Sequence, residues 1–161
     1  MRKILFATIS FTLAVSANAC GLNAADSLGA FWKDFRVASL KGSVQEVSRY
    51  YLFPLVVRGP YHDDKPIRLG KKTFSKEYDA IFRVGLEGNE TSTFLKDWEA
   101  KPIGYWERKM KKAMMPTPGK CLARMDDYVL SWESSSGWKV KEVYYNEDFD
   151  ILTNYLKSSS R

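Results

Sequence analysis

Apolar residues in this chain come first as a block, then at helical spacing, then in alternation, and each regime predicts a different element. The block is Ile4 to Val15, behind the basic pair Arg2-Lys3 and ahead of Ala17-Asn18-Ala19. A membrane-spanning helix needs about 20 apolar residues, so this block is too short to be one. A buried helix of a globular domain would carry polar positions at helical spacing, a pattern the block lacks. Basic start, short apolar core and small-x-small end together predict a secretory signal peptide over residues 1–19. The expected location is periplasmic or secreted, with no transmembrane segment.

Helical period takes over at Asp26. Leu28, Phe31, Trp32, Phe35 and Ala38 fall on one face, with Asp26 or Ser27 to cap the start and Gly42 to end it. Ser43-Val44-Gln45-Glu46 has the form of a capping box opening a short second helix to about Tyr50, with Val44 and Val47 inward. Pro54 removes a backbone donor and disfavours helix at Phe53, so the helical pair is expected to stop there. Alternation comes next. Leu55-Val56-Val57 and Ile67-Arg68-Leu69 flank a run of turn formers from Gly59 to Pro66, which predicts a hairpin.

Ser75 is placed to cap a third helix, with Tyr78, Ile81 and Phe82 on one face and Gly85 and Gly88 at its end. Residues 89–120 obey no single period; Phe94, Leu95 and Trp98 suggest a short helix, and Pro102, Pro116 and Pro118 interrupt the remainder of this stretch. Tyr128 to Trp132 and Trp138 to Lys141 flank Ser134-Ser135-Ser136-Gly137 and predict a second hairpin. Phe149, Leu152, Tyr155 and Leu156 suit a closing helical turn, with a flexible Ser-rich tail at 158–161 behind it.

Helices first and antiparallel hairpins later predict an α+β domain, with N-terminal helices packed on a curved, mostly antiparallel, cone-like sheet. The chain is 45% hydrophobic and 14% aromatic, which excludes a disordered polypeptide. Removing residues 1–19 leaves 142 of 161, enough for one domain with a real core, expected over residues 20–157. The same removal takes away Arg2 and Lys3 and lowers the formal charge from +6 to +4. Outside the cytoplasm, so mild an excess points away from nucleic acid and towards envelope polymers, lipid headgroups or an acidic protein surface.

Two cysteines change the picture further. Cys20 directly succeeds the expected cleavage point, where a bacterial lipoprotein carries its acylated cysteine. A lipid anchor at Cys20 usually requires a larger aliphatic residue three positions earlier, and Ala17 fits simple cleavage better. Simple cleavage would leave Cys20 and Cys121 as the only thiols in an oxidising compartment, where a disulfide between them is chemically reasonable. Closing a loop of about 100 residues would add roughly 2–4 kcal/mol if the bond acts by restraining the unfolded chain. Neither cysteine lies near the lone His62 at the spacing of a zinc motif, so no metal site is expected.

Phe53-Pro54-Leu55, Tyr78-Asp79-Ala80-Ile81-Phe82 and the closing strand pair with Gly137-Trp138-Lys139-Val140, in this order behind two helices, resemble the nuclear-transport-factor-2-like superfamily. Within it, the chain is similar to small exported bacterial proteins of unknown function with an FPL…YDxIF pattern. The resemblance covers about residues 26–145 and implies a cone-shaped α+β fold. That superfamily contains isomerases, cyclases, dehydratases and non-catalytic binding modules, so the fold alone does not select a function.

The chemistry in the chain is sparse. His62 beside Asp63 and Asp64 has the residue types of an acid–base pair, but a turn this rich in Gly, Pro and Asp is expected in solvent. Asp126-Asp127 lacks the spaced oxygen ligands of a calcium loop and is expected to be a turn or bulge between Met125 and Tyr128. No nucleophile elbow, zinc-protease motif, phosphate loop or dinucleotide fingerprint is present. Aromatics are abundant instead. Phe31, Phe35, Ile81 and Phe82 are expected in the core, whereas Tyr50, Tyr51, Trp98 and Trp106 are candidate ligand or partner contacts. Lys111 and Lys112, in the basic run 108–112 beside Met114-Met115, are candidates for docking to an acidic protein.

The resulting expectation is an exported, non-catalytic binding module for a small apolar or aromatic ligand, or for a partner protein in the manner of an inhibitor or immunity factor. The alternative is a small-molecule enzyme of isomerase or hydrolase type using a cavity carboxylate or tyrosine as acid or base. No cofactor is expected for either.

Overall fold

A computed structural model describes residues 24–84, 86, 108, 114–117, 120–145 and 149–159. The chain is α+β, with helices packed on a six-stranded, curved and mostly antiparallel sheet. Helix α1 (Ala24–Lys41) leads to the short α2 (Val44–Ser48) and to strands β1 (Tyr51–Arg58) and β2 (Ile67–Leu69). Helix α3 (Lys71–Tyr78) continues directly into a π-helical turn, Asp79–Val84. Strands β3 (Met114–Thr117), β4 (Lys120–Met125), β5 (Tyr128–Glu133) and β6 (Gly137–Tyr144) lead to helix α4 (Phe149–Ser159).

The periodicity of α1 is realised in three dimensions. Leu28, Trp32 and Phe35 are buried on one stripe, and Gly42 N–H donates to the Ala38 carbonyl at the helix end. Burying each of these large side chains contributes roughly 1.5–3 kcal/mol. At the other end, the Trp138 indole N–H donates to the Ala24 carbonyl at 2.8 Å, fixing the start of α1 to β6. The capping box of α2 is complete. Glu46 N–H donates to Ser43 Oγ (3.2 Å) and Ser43 N–H donates to the Glu46 carboxylate (2.7 Å).

Strand order is β2-β1-β6-β5-β4-β3. Both expected hairpins form, with Leu55 opposite Leu69 in the first and Trp132 opposite Trp138 in the second. The pairing of β1 with β6 is parallel and joins the two halves of the chain. Arg58 and Glu142 cross that junction with an ion pair of 2.6 Å. Between β5 and β6 the register shifts from Val129↔Glu142 to Leu130↔Val140. One extra β6 residue at this bulge lets both Val140 and Val143, three positions apart, face the core, and such bulges increase local twist.

Three local expectations need correction. The first strand does not wait for Pro54: it begins at Tyr51, and exposed Pro54 lies where the β1–β6 register is irregular, a position that demands no ladder donor. The Phe53–Pro54 peptide bond is cis. Helix α3 starts at Lys71 behind Gly70 rather than at Ser75, because Phe74 already belongs to its buried face. Residues 158 and 159, expected in a flexible tail, are the last turn of α4. Ser159 is held there by its hydroxyl donating to Glu77 and by Lys76 Nζ donating to its carbonyl at 3.2 Å.

The π-helical turn has a structural use. It places the Arg83 guanidinium against the end of α1, where Nε donates to the Ser39 carbonyl (3.0 Å) and an Nη donates to the Gly42 carbonyl. These terminal carbonyls have no intrahelical partner, and a cation there also complements the helix dipole.

Candidate functional site

The concave face of the sheet is packed with aromatic side chains. Trp32, Phe35, Tyr51, Phe74, Tyr78 and Tyr128 are all 5% exposed or less. Phe35 meets Tyr51 and Tyr128 edge-on, each at 5.5 Å between ring centroids. Such pairs are worth about 0.5–1.5 kcal/mol beyond the area they bury. Burial, first of all, pushes the Tyr51 and Tyr128 phenols well above their ordinary range, and the two share a hydrogen bond. Burial also raises Tyr78, to about 12. Tyr51, expected to contact a ligand, is therefore a core residue held neutral among other rings.

An accessible concavity among the described residues lies beside this core. It is a groove of about 860 Å³ between α1 and α2 on one side and the tip of the β5–β6 hairpin on the other. That volume lies within the range of small-molecule sites, roughly 300–1,000 Å³. Its aromatic lining comes from Phe31, Tyr50, Trp132 and Trp138. Phe31 and Tyr50 pack at 5.7 Å and 62° on the helical wall, and Trp132 and Trp138 at 5.6 Å and 67° on the hairpin wall. Phe31, Tyr50 and Trp132 are half-buried, so each presents part of a ring to solvent. Val37, also in the lining, is 56% exposed.

Each wall arises from local sequence. Ser27, Phe31, Asp34, Ala38 and Lys41 recur every three or four residues along α1 and form a stripe beside the buried one. The hairpin turn depends on Gly137, whose φ of +74° falls in the left-handed region that favours glycine. A Cβ there would lie 3.7 Å from the Trp132 ring, which packs directly against this turn.

Charges surround the aromatic lining. Lys41, Arg49 and Lys139 are on the rim, with Asp34 and Glu46. Glu46 is turned back on its own cap, where the Ser43 backbone N–H and hydroxyl donate to it, and the first of these chiefly holds its carboxyl below the ordinary range. Partial burial, and after it the charge of Asp34, raises the Tyr50 phenol. Tyr50 is therefore a neutral hydroxyl at physiological pH, able to donate or accept. The groove can stack a flat apolar body and hydrogen-bond its polar edges.

Of the two candidate contact residues that are described, Tyr50 lines the groove and Tyr51 does not. Trp98, Trp106, Lys111, Lys112 and Cys20 lie outside the described residues. Phe31, expected in the core, instead bridges core and groove, because its stripe runs along the edge of the buried face. Arg49, Lys139 and Asp34 were not anticipated as site residues. The α1 apolar arc, which extends through Phe31 and Ala38 beyond the buried stripe, marked that wall of the groove but none of these three residues. His62 is exposed between β1 and β2, and Asp126 (φ +51°) and Asp127 form the β4–β5 turn, as expected for both segments. Among the described residues, no group of three or more His, Cys, Asp or Glu could hold a metal ion. No described helix is long and apolar enough to cross a membrane.

Comparison with protein-family models, with curated proteins and with solved structures gives no match to this chain. Its function is therefore argued from the groove.

Proposed function

We propose that this protein is an exported, non-catalytic binding module whose ligand site is the groove between α1, α2 and the β5–β6 hairpin. The observation that carries this reading is the pair of aromatic contacts facing each other across about 860 Å³, three of whose rings remain partly open to solvent. Large half-exposed rings gathered in one concavity mark a binding surface more often than a packing defect. Several part-buried or buried acid and base groups have structural partners: Glu77 accepts from Tyr155 and Ser159, Arg83 closes α1, and Tyr51 and Tyr128 share a hydrogen bond. The proposal keeps the resemblance to the non-catalytic members of the nuclear-transport-factor-2-like superfamily. It places the ligand at the mouth of the cone and leaves the aromatic interior as core.

Substitution tests this reading. Trp132→Ala should weaken ligand binding by about 2 kcal/mol or more, as removal of an anchoring aromatic does at other interfaces. His62→Ala should leave binding unchanged. An enzyme would rank differently: losing one acid or base would cut turnover by roughly 10²-fold with binding intact.

A further inference from the structure

We infer that the groove selects a small organic anion with a flat apolar body; this rests on the binding site proposed above and names its ligand class. Three cationic side chains, Lys41, Arg49 and Lys139, share the rim with two carboxylates. Glu46 accepts from the Ser43 N–H at 2.7 Å and from the Ser43 hydroxyl at 3.1 Å, which turns its carboxylate towards its own cap without removing its charge. Three positive charges therefore face two negative ones, a net excess of one at the rim. None of the ion pairs among the described residues uses Lys41 or Arg49. Lys139 Nζ donates to the Arg49 carbonyl at 2.5 Å, which ties this cation to the α2 side of the groove. An ammonium has three donors, so two remain for a ligand.

The apolar half of the ligand is set by the walls. Phe31 and Tyr50 from the helical wall and Trp132 from the hairpin are part-open and offer ring faces and edges to a planar body, with Trp138 buried behind Trp132. A protein partner of ordinary affinity would need an interface of about 800 Å² on each side. A concavity of about 860 Å³ is on the scale of one small molecule. Planar apolar body and anionic group together define the class: an aromatic or polycyclic carboxylate, sulfonate or phosphate.

Two dyes that differ only in charge test this: anilinonaphthalene sulfonate and its uncharged parent, N-phenylnaphthylamine. Each is titrated by fluorescence into the purified protein and into Lys41→Glu/Arg49→Glu and Trp132→Ala. The sulfonate should bind about tenfold more tightly than the parent, an advantage that should shrink to about twofold or less in the charge-reversed protein. Trp132→Ala should weaken both dyes about thirtyfold. Raising salt to about 0.5 M should weaken the sulfonate several-fold and spare the parent, which decides the matter on the unaltered protein if a variant does not fold.

Equal affinities in the unaltered protein, or an advantage insensitive to both charge reversal and salt, would overturn the anion inference. Trp132-dependent binding of the uncharged dye would then still support the groove as the site. Dye binding indifferent to Trp132, or none, would overturn both.

Discussion

Glu77 couples the stability of this fold to pH through one side chain. It is 4% exposed on α3 and accepts from the Ser159 hydroxyl and from the Tyr155 phenol (2.5 Å), with Lys76 at 3.0 Å. These partners, Ser159 first, lower its pKa from 4.5 to about 2. A carboxylate whose folded pKa is depressed stabilises the fold fully above its unfolded pKa and loses that contribution as pH falls towards the folded value. Denaturant unfolding should therefore show the Glu77 contribution intact above about pH 4.5 and disappearing towards pH 2. Glu77→Gln should cost on the order of 1–3 kcal/mol at neutral pH, a deficit that narrows on acidification. A deficit independent of pH would mean that packing, not charge, is what the substitution removes. His62→Ala, on an exposed turn, should stay within about 0.5 kcal/mol of the parent.

At the scale of elements, the legible parts of the sequence were those whose signals are local. The capping box at Ser43-Glu46 could be read directly because both hydrogen bonds span three residues. Ser43→Ala should cost about 1 kcal/mol by thermal or denaturant unfolding, and a cost near zero would show the cap to be redundant. The β5–β6 hairpin was legible for the same reason. Its Gly137→Ala variant should lose about 1–2 kcal/mol because φ of +74° penalises any Cβ. The same variant should weaken groove binding, since the Trp132 ring packs on that turn. Less legible were the elements decided by distant contacts. Strand β1 reaches back to Tyr51 because β6, some 90 residues later, supplies a parallel partner. The early start of α3 reflects Phe74 packing against Tyr51 at 4.7 Å, which no local spacing announces.

For the whole molecule, binary patterning predicted the α+β class and both hairpins, since periods of two and of about 3.6 residues largely dictate which faces become core. The lining of the candidate groove was less legible. Half-buried Tyr50 lies in the groove lining, whereas its neighbour Tyr51 opens β1 and faces the buried side. Arg49, Lys139 and Asp34 meet only through tertiary structure, and no spacing in the chain brings them together. The proposed Cys20–Cys121 disulfide belongs to this scale too. Cys121 is buried on β4 and none of the described cysteines is free. Thiol counting on the unreduced, denatured protein should find none, and reduction should cost roughly 2–4 kcal/mol of stability. Two free thiols, or a diacylglycerol increment in the intact mass, would replace that proposal with a reduced or lipid-anchored protein.

That the mouth of the core is a ligand site is the claim on which the functional account depends. A two-dimensional NMR titration with anilinonaphthalene sulfonate, monitoring backbone amides and indole N–H groups together, tests it most directly. The account predicts that the Trp132 indole and the amides of Tyr50 and Lys139 shift together and saturate with one dissociation constant, while residues around His62 stay still. Shifts confined to another face of the molecule, or none at saturating dye, would contradict it.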